Sequence, residues 1–357
     1  MTDAARLKLV VRKLVARSNL SESEIADAMD LILTAGSPEA ATASFLVALA
    51  MKGESVTELR SALDRIRAHA LKITPDIERT LIDTCGTGGD SLRTFNISTA
   101  AAILAASAGA SVAKHGNRSV TSICGSADFM EYVGFELDSP ASRVQESIEA
   151  IGLGFLYAPT FHPAMRNVSS VRKQIGIRTI FNLLGPLSNP CTNVSGQVIG
   201  VYEPCLLETF AELCQSYLQD AMIFHAHDGL DELSNTCAND VIHITEGRMQ
   251  RLVVLPTSIG VKLARPEQLV VSSKDQAIGE TLKVLNGEAQ EEKEDIVILN
   301  AAAALTVARV SKDIEEGLEI ARSALRNGAC RKKLGELIRR CGDPKKLEDA
   351  EKRFLNN

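Results

Sequence analysis

The 357-residue chain contains no tryptophan, and aromatic residues make up only 4% of it. A core short of large rings is filled by small and aliphatic side chains, and the abundant alanine and leucine favour packed helices. None of its eight cysteines is paired as CxxC, and Cys85, Cys124, Cys214 and Cys237 lie inside apolar or glycine-rich stretches. That pattern argues against a zinc site and predicts reduced thiols in a cytoplasmic protein. Long uncharged apolar runs are missing too, and the start MTDAARLKLVVRKLV lacks the apolar stretch of a signal peptide, so no membrane is expected as a partner. Positive charge is not in excess. The formal net charge of −6 argues against a nucleic-acid surface, while leaving room for a local basic pocket around a phosphorylated small molecule. There is no internal repeat and no low-complexity segment.

What is present reads as two domains, 45% apolar and 24% charged. Residues 1–74 read as helices only. Ser21 and Glu24 form an S-x-x-E capping box, after which Ile25, Ala28, Met29 and Ile32 fall on one helical face. Gly36 stops that helix and Ser37-Pro38 starts the next; Gly53 ends it, and Ser55 with Glu58 caps a third. Helices near 163–185 are candidates to join this domain. From residue 75 to 357 the pattern changes. TLIDT (80–84), ASVAK (110–114), GFLYA (154–158), GQVIGVY (196–202) and AMIFHA (221–226) read as short buried strands, most of them separated by helical stretches. That alternation predicts βαβ units and a mostly parallel sheet. DVIHITEG and RLVVL look like a late hairpin, and IVILNAAAALTVA and Ile314–Leu325 return to helix. The expected fold class is α/β: a small N-terminal helical domain plus a large α/β domain. In open parallel sheets ligands gather beyond the carboxyl ends of the strands.

Four segments there carry chemistry. In DTCGTGGDSLRTFNIST a strand runs into a glycine loop and then a helix opens near Asn96–Thr99; loop and helix N-terminus together offer N–H groups to a phosphate or pyrophosphate. Without a Gly-Lys-Ser/Thr it is not a Walker loop. In VAKHGNRSVTSICGSAD, Lys114, His115, Asn117 and Arg118, with the hydroxyls of Ser119, Thr121, Ser122 and Ser126, suit a phosphate and a ribose. Between 162 and 190, Arg166, Arg172, Lys173 and Arg178 supply cations; one arginine can hold a carboxylate, and spacing leaves open which. GPLSNP reads as a fixed turn between domains. In HAHDGLDELSNT, Asp228, Asp231 and Glu232 are hard oxygen donors of the kind Mg²⁺ accepts, while His225, His227 and His243 lack the further ligand a zinc site needs.

Taken in order, CGTGGD, TFNIST, KHGNRS, GSAD, IRTIFNLLGPLSNP, DGLDELS and NAAAAL resemble the anthranilate phosphoribosyltransferase family over nearly the whole chain. The resemblance implies a nucleoside-phosphorylase-like fold, usually homodimeric. It implies transfer of a 5-phosphoribosyl group from phosphoribosyl pyrophosphate (PRPP) to anthranilate in tryptophan biosynthesis, with Mg²⁺ as cofactor. Carried over by position, it implies PRPP contacts at Gly86, Gly89, Asp90, Thr94, Asn96, Ile97, Ser98 and Thr99. Further PRPP contacts are implied at Lys114, His115, Gly116, Asn117, Arg118, Ser119, Val120, Thr121, Ser122 and Ser126. Metal ligands match Ser98, Asp231 and Glu232; anthranilate contacts match Gly86, Asn117 and Arg172. No general base is assigned, since the aromatic amine is uncharged at neutral pH. The pattern leaves no room for a fused glutamine amidotransferase, with anthranilate synthase a candidate separate partner. Departures from the family are Ser91 after GTGGD, Arg166-Asn167 where Lys-His is common, and Ala226 where glycine is common. The rival readings are a pyrimidine nucleoside phosphorylase, disfavoured by KHGNRS and the DGLDE acids, and a non-catalytic paralogue, disfavoured because no site residue is lost.

Overall fold

The structure, a computed structural model, describes residues 2–89, 92–119 and 123–355. Asp90, Ser91, Val120, Thr121 and Ser122 therefore lie outside the described residues. The chain divides into two compact units, one of residues up to Lys72 with Ala158–Pro190, the other of Ile73–Tyr157 with the chain from Cys191 onward.

The first unit is helical. Its opening helices are Asp3–Val15, Glu22–Leu33, Glu39–Lys52 and Val56–Ala68. Both expected capping boxes form: Ser21 Oγ accepts from Glu24 N at 3.3 Å, and Glu24 Oε2 accepts from Ser21 N at 3.0 Å. Ser55 and Glu58 repeat the arrangement. Ile25, Met29 and Ile32 are fully buried, each contributing roughly 1.5–3 kcal/mol. Glu58 does more than cap. Its buried carboxylate also takes the Leu20 N–H at 2.9 Å and the Lys52 ammonium at 2.7 Å, a satisfied ion pair under the turn at Gly53. Arg166–Ile175 and Ile180–Leu184 complete the unit, and the GPLSNP segment ends at its last residue, Pro190.

The second unit is built on a seven-stranded sheet. Its strands are β1 (Leu81–Gly86), β2 (Ser111–Gly116), β3 (Leu153–Tyr157), β4 (Val194–Gly200), β5 (Asp220–Ala226), β6 (Asn239–Thr245) and β7 (Arg248–Val254). The order is β3-β2-β1-β4-β5-β6-β7, parallel from β3 to β5 and antiparallel beyond. All seven strands anticipated from sequence are present; β7 begins three residues before RLVVL. Glu246 and Gly247 turn the late hairpin with φ of +50° and +76°, the geometry a two-residue hairpin loop prefers. The helices Ile97–Ser107 and Glu291–Val307 are buried over almost their whole length, and alanines let them pack closely. The latter starts before Asp295, and the structure adds helices Lys274–Asn286, Ala329–Cys341 and Pro344–Phe354. No helix among the described residues is long and apolar enough to cross a membrane.

The strand order reverses direction between β1 and β4, which pair through Gly86 and Gly200 at their carboxyl ends. That is the switch point at which open α/β sheets hold ligands.

Candidate active site

Two glycines make the switch point tight. A Cβ on Gly86 would overlap the Asp231 carboxylate, and one on Gly200 would overlap the Asp231 main chain. Only bare backbone admits the turn after β5 between the two strand ends. Thr87 N donates to Gly200 O at 3.0 Å, and Thr87 Oγ1 accepts from Tyr202 N at 3.1 Å. Gly88 and Gly89 then turn the loop with φ of +71° and +89°.

The N–H groups expected to form a phosphate cradle are partly taken by protein acids. Gly88 N donates to Asp231 Oδ2 at 2.6 Å, and Ser98 N, in the first turn of Ile97–Ser107, donates to Glu232 Oε1 at 3.1 Å. Free helix N-termini attract anions, and here the nearest anions are side chains. The turn that carries them is pinned from behind: Asn300, in the NAAAAL segment, accepts from Leu233 N and donates to Leu233 O, each at 2.9 Å. Asp228 faces elsewhere, accepting from Leu230 N at 3.1 Å and Ser234 Oγ at 2.6 Å, so it organises its own turn. Hard oxygens thus meet the glycine loop and a helix N-terminus at Asp231 and Glu232, with the Ser98 hydroxyl on the same first turn. A phosphate brought there faces two carboxylates, an arrangement that needs a cation between them, and oxygen donors of this type fit Mg²⁺. The histidines are dispersed. His225 Nδ1 lies 2.9 Å from Val201 O, His227 Nε2 3.0 Å from Asp240 and His243 Nε2 3.0 Å from Asp220.

The second loop follows β2. Lys114 is 4% exposed and its ammonium donates to Thr84 O at 2.7 Å, so its charge lies beneath the end of β1. His115 is buried and its main-chain N–H donates to Asp83 Oδ1 at 3.1 Å. Gly116 sits against the Phe155 ring, and Ser126 Oγ bridges Asn117, accepting from its N and donating to its O, both at 3.2 Å. Arg118 spends both terminal nitrogens on Glu131, at 2.7 and 2.8 Å, with its guanidinium 5.9 Å from the Tyr157 ring centre. Ser119 N donates to Asp128 Oδ2 at 3.1 Å.

Of the remaining expected contacts, Thr94 forms an antiparallel bridge with Val270, while Ile97 and Thr99 have side chains turned into the core at 1% exposure. Asn96 joins the two loops: its Nδ2 donates to Cys124 O at 2.9 Å, and its buried Oδ1 has no partner among the described residues.

Arg172 belongs to the helical unit. Burial lowers its pKa, its guanidinium lies 5.2 Å from the Phe181 ring centre, and among the described residues no carboxylate offsets that burial. It is therefore a half-buried cation suited to an outside carboxylate; Arg166 and Lys173 are exposed. Of the departures, Ala226 is buried at the end of β5, and Asn167 donates to Leu33 O at 2.6 Å.

Sequence reasoning passed over Asp128, Gly200 and Asn300. Asp128 carried a signal, being an acid three residues after Gly125 at a helix start. Asn300 stood in the NAAAAL motif without an assigned role and Gly200 carried no signal, because their partners are distant in the chain.

Residues 78–331 match the model for "Glycosyl transferase family, a/b domain", and residues 8–70 that for "Glycosyl transferase family, helical bundle domain". The chain is 44% identical over 333 residues to an anthranilate phosphoribosyltransferase of Acetivibrio thermocellus, 93% of this chain and 96% of that one. To that of Methanopyrus kandleri it is 41% identical over 334 residues, 92% and 98% of the two chains. Among solved structures, the anthranilate phosphoribosyltransferase of Thermus thermophilus superposes with a TM-score of 0.86 at 34% identity, covering 95% of this chain and 99% of that one. That of Saccharomyces cerevisiae in complex with PRPP and Mg does so at 0.85 and 26%, covering 94% and 98%.

Proposed function

The chain belongs to the anthranilate phosphoribosyltransferase family, and from that premise we infer that the carboxyl edge of its sheet holds PRPP while Arg172 holds anthranilate. The enzyme transfers the 5-phosphoribosyl group of PRPP to the amine of anthranilate, giving N-(5-phosphoribosyl)anthranilate and pyrophosphate in tryptophan biosynthesis. The observation that carries the site assignment is the meeting of Asp231 and Glu232 with Gly88 N and Ser98 N at the switch point.

The reacting amine is neutral and needs no strong base. Displacement at the ribose C1 develops oxocarbenium-like charge, as in glycoside hydrolysis, so the protein's task is to orient two substrates and neutralise the leaving pyrophosphate. Asp231, Glu232 and the Ser98 hydroxyl would hold Mg²⁺, which when bound supplies positive charge to phosphate oxygens. Gly89 admits PRPP close to backbone, while Gly86, its side-chain space filled by Asp231, meets PRPP and anthranilate through its main chain; Asn117, which also meets anthranilate, Ser119 and Ser126 offer hydrogen bonds from the second loop, and the acceptor Asn96 Oδ1 suits a ribose hydroxyl. Lys114 raises the potential beneath the strand end without reaching past it. Thr94, Ile97, Thr99, His115, Gly116 and Arg118 belong to the same set of PRPP contacts by position, with the Ile97, Thr99 and His115 side chains buried and Arg118 paired with Glu131. Asp90, Val120, Thr121 and Ser122 are assigned to PRPP by their position in the family motif. Arg172 orients anthranilate through its carboxylate, with two parallel bonds available.

The helical and α/β units are taken as the two domains. A homodimer and a separate anthranilate synthase partner belong to the same reading; exposed Leu9, Val15 and Met51 give the helical unit apolar surface for the former. Eight free cysteines support a reducing cytoplasmic setting.

The test mixes protein, PRPP, Mg²⁺ and anthranilate and follows the loss of anthranilate fluorescence. Wild type consumes anthranilate, and Arg172→Ala raises the anthranilate KM roughly 10- to 100-fold while the PRPP KM moves far less. An equal rise in both would remove Arg172 from the acceptor site.

A further inference from the structure

Lys274 stands where helix chemistry disfavours it. It is the first residue of Lys274–Asn286, directly after the Ser273 cap, and a cation in a first turn opposes the helix dipole. Its compensation lies outside the helix: Nζ donates to Asp128 Oδ1 at 2.8 Å. Asp128 in turn accepts from Ser119 N at 3.1 Å and Gly125 N at 3.0 Å through Oδ2, and Arg118 approaches Oδ1 at 3.4 Å. Burial alone would raise the Asp128 pKa; Lys274 and the two N–H donors outweigh it and hold the acid below its usual range. Two turns along the same helix, buried Thr281 donates to Ala277 O at 2.7 Å and accepts from Asn96 N at 3.3 Å. Just before the helix, Val271 N donates to Arg93 O at 2.8 Å. One element therefore grips the second loop through Asp128 and the start of Ile97–Ser107 through Asn96, and Asn96 links the two loops by its bond to Cys124 O.

We propose that Lys274–Asn286 is a brace that sets the spacing of the two PRPP loops, with Lys274 and Thr281 as positioning residues for the donor substrate. The proposal rests on the reading of those loops given above. Lys274 touches neither substrate; it acts through Asp128 on Ser119 and through the helix on Asn96. Because its side chain is half exposed, its pairing contributes little to global stability, and its effect falls on loop geometry.

The experiment measures KM for both substrates and PRPP binding by calorimetry, with thermal melting alongside. Lys274→Met raises the PRPP KM about 10-fold, leaves the anthranilate KM within about twofold and barely moves the melting temperature; Lys274→Arg restores the PRPP KM. Thr281→Val, of equal size, gives the same split, and Thr281→Ser rescues it. An unchanged PRPP KM in Lys274→Met, an equal rise in both KM values, or failure of the arginine rescue overturns the brace. If wild type itself binds no PRPP, the reading of the loops fails instead, and the calorimetry on wild type separates the two outcomes.

Discussion

The two loops at the carboxyl edge of the sheet are each gripped by a buried acid, but in different ways. The glycine loop after β1 is held by Asp231, 143 residues from the Gly88 N–H it accepts. The loop after β2 is held by Asp128, nine residues from the Ser119 N–H it accepts, and Asp128 is also neutralised by Lys274. A backbone dipole stabilises a carboxylate without cancelling its charge, which suits the metal role proposed for Asp231. A carboxylate matched by protein cations suits a fixed fastening. The glycines divide along the same line: Gly86 and Gly200 exist to let the distant acid in, whereas Gly125 lets Ser119 N approach its local one.

The contrast can be broken at several points. The largest effect is expected at Gly200→Ala, whose methyl group lands on the Asp231 main chain. It should cost roughly 3 kcal/mol or more of stability and most of the turnover. A melting temperature and rate like wild type would show that the turn has room to yield. Next comes Asp231→Asn, which keeps the acceptor for Gly88 N–H but removes the charge. Turnover should fall on the order of 100-fold, with a higher Mg²⁺ concentration at half-saturation and a nearly unchanged melting temperature. An unaltered Mg²⁺ titration would strip Asp231 of its metal role and make the two acids alike. The smallest effect is the acid sensitivity of Asp128. Its folded pKa lies below the usual carboxylate value, so its contribution is complete above that range and is lost as the pH falls through the lowered folded value. The stability difference between wild type and Asp128→Asn, measured by urea unfolding, should stay level from about pH 7 to 5 and shrink below about pH 4. A difference undiminished in acid would mean that shape, and not charge, fastens the second loop.

Much of this was legible in the sequence, because much of it is local. Ser21 with Glu24 and Ser55 with Glu58 act across one helical turn, so their spacing alone announces the caps. The strands showed as short apolar runs bounded by turns, and the polar loops after β1, β2 and β5 were visible as the places where chemistry collects. Less legible was what each charge faces. Lys114 and Arg118 read as cations presented to a ligand; folded, one supports Thr84 O and the other is matched by Glu131. Gly88 N and Ser98 N read as an open cradle and were found holding carboxylates. Lys274 gave no signal, since its only distinction is a partner on another element.

By itself the sequence determined the strands, the capped N-terminal helices, their order, the apolar faces and the inventory of groups at the strand ends, because these depend on neighbours within a few residues; three late helices escaped it. Only the tertiary structure decided that β1 pairs with β4, that Gly86 and Gly200 close on Asp231, and that a single late helix reaches both loops. Those outcomes depend on which distant backbones approach closely enough to exchange hydrogen bonds, and that is settled by packing over the whole sheet.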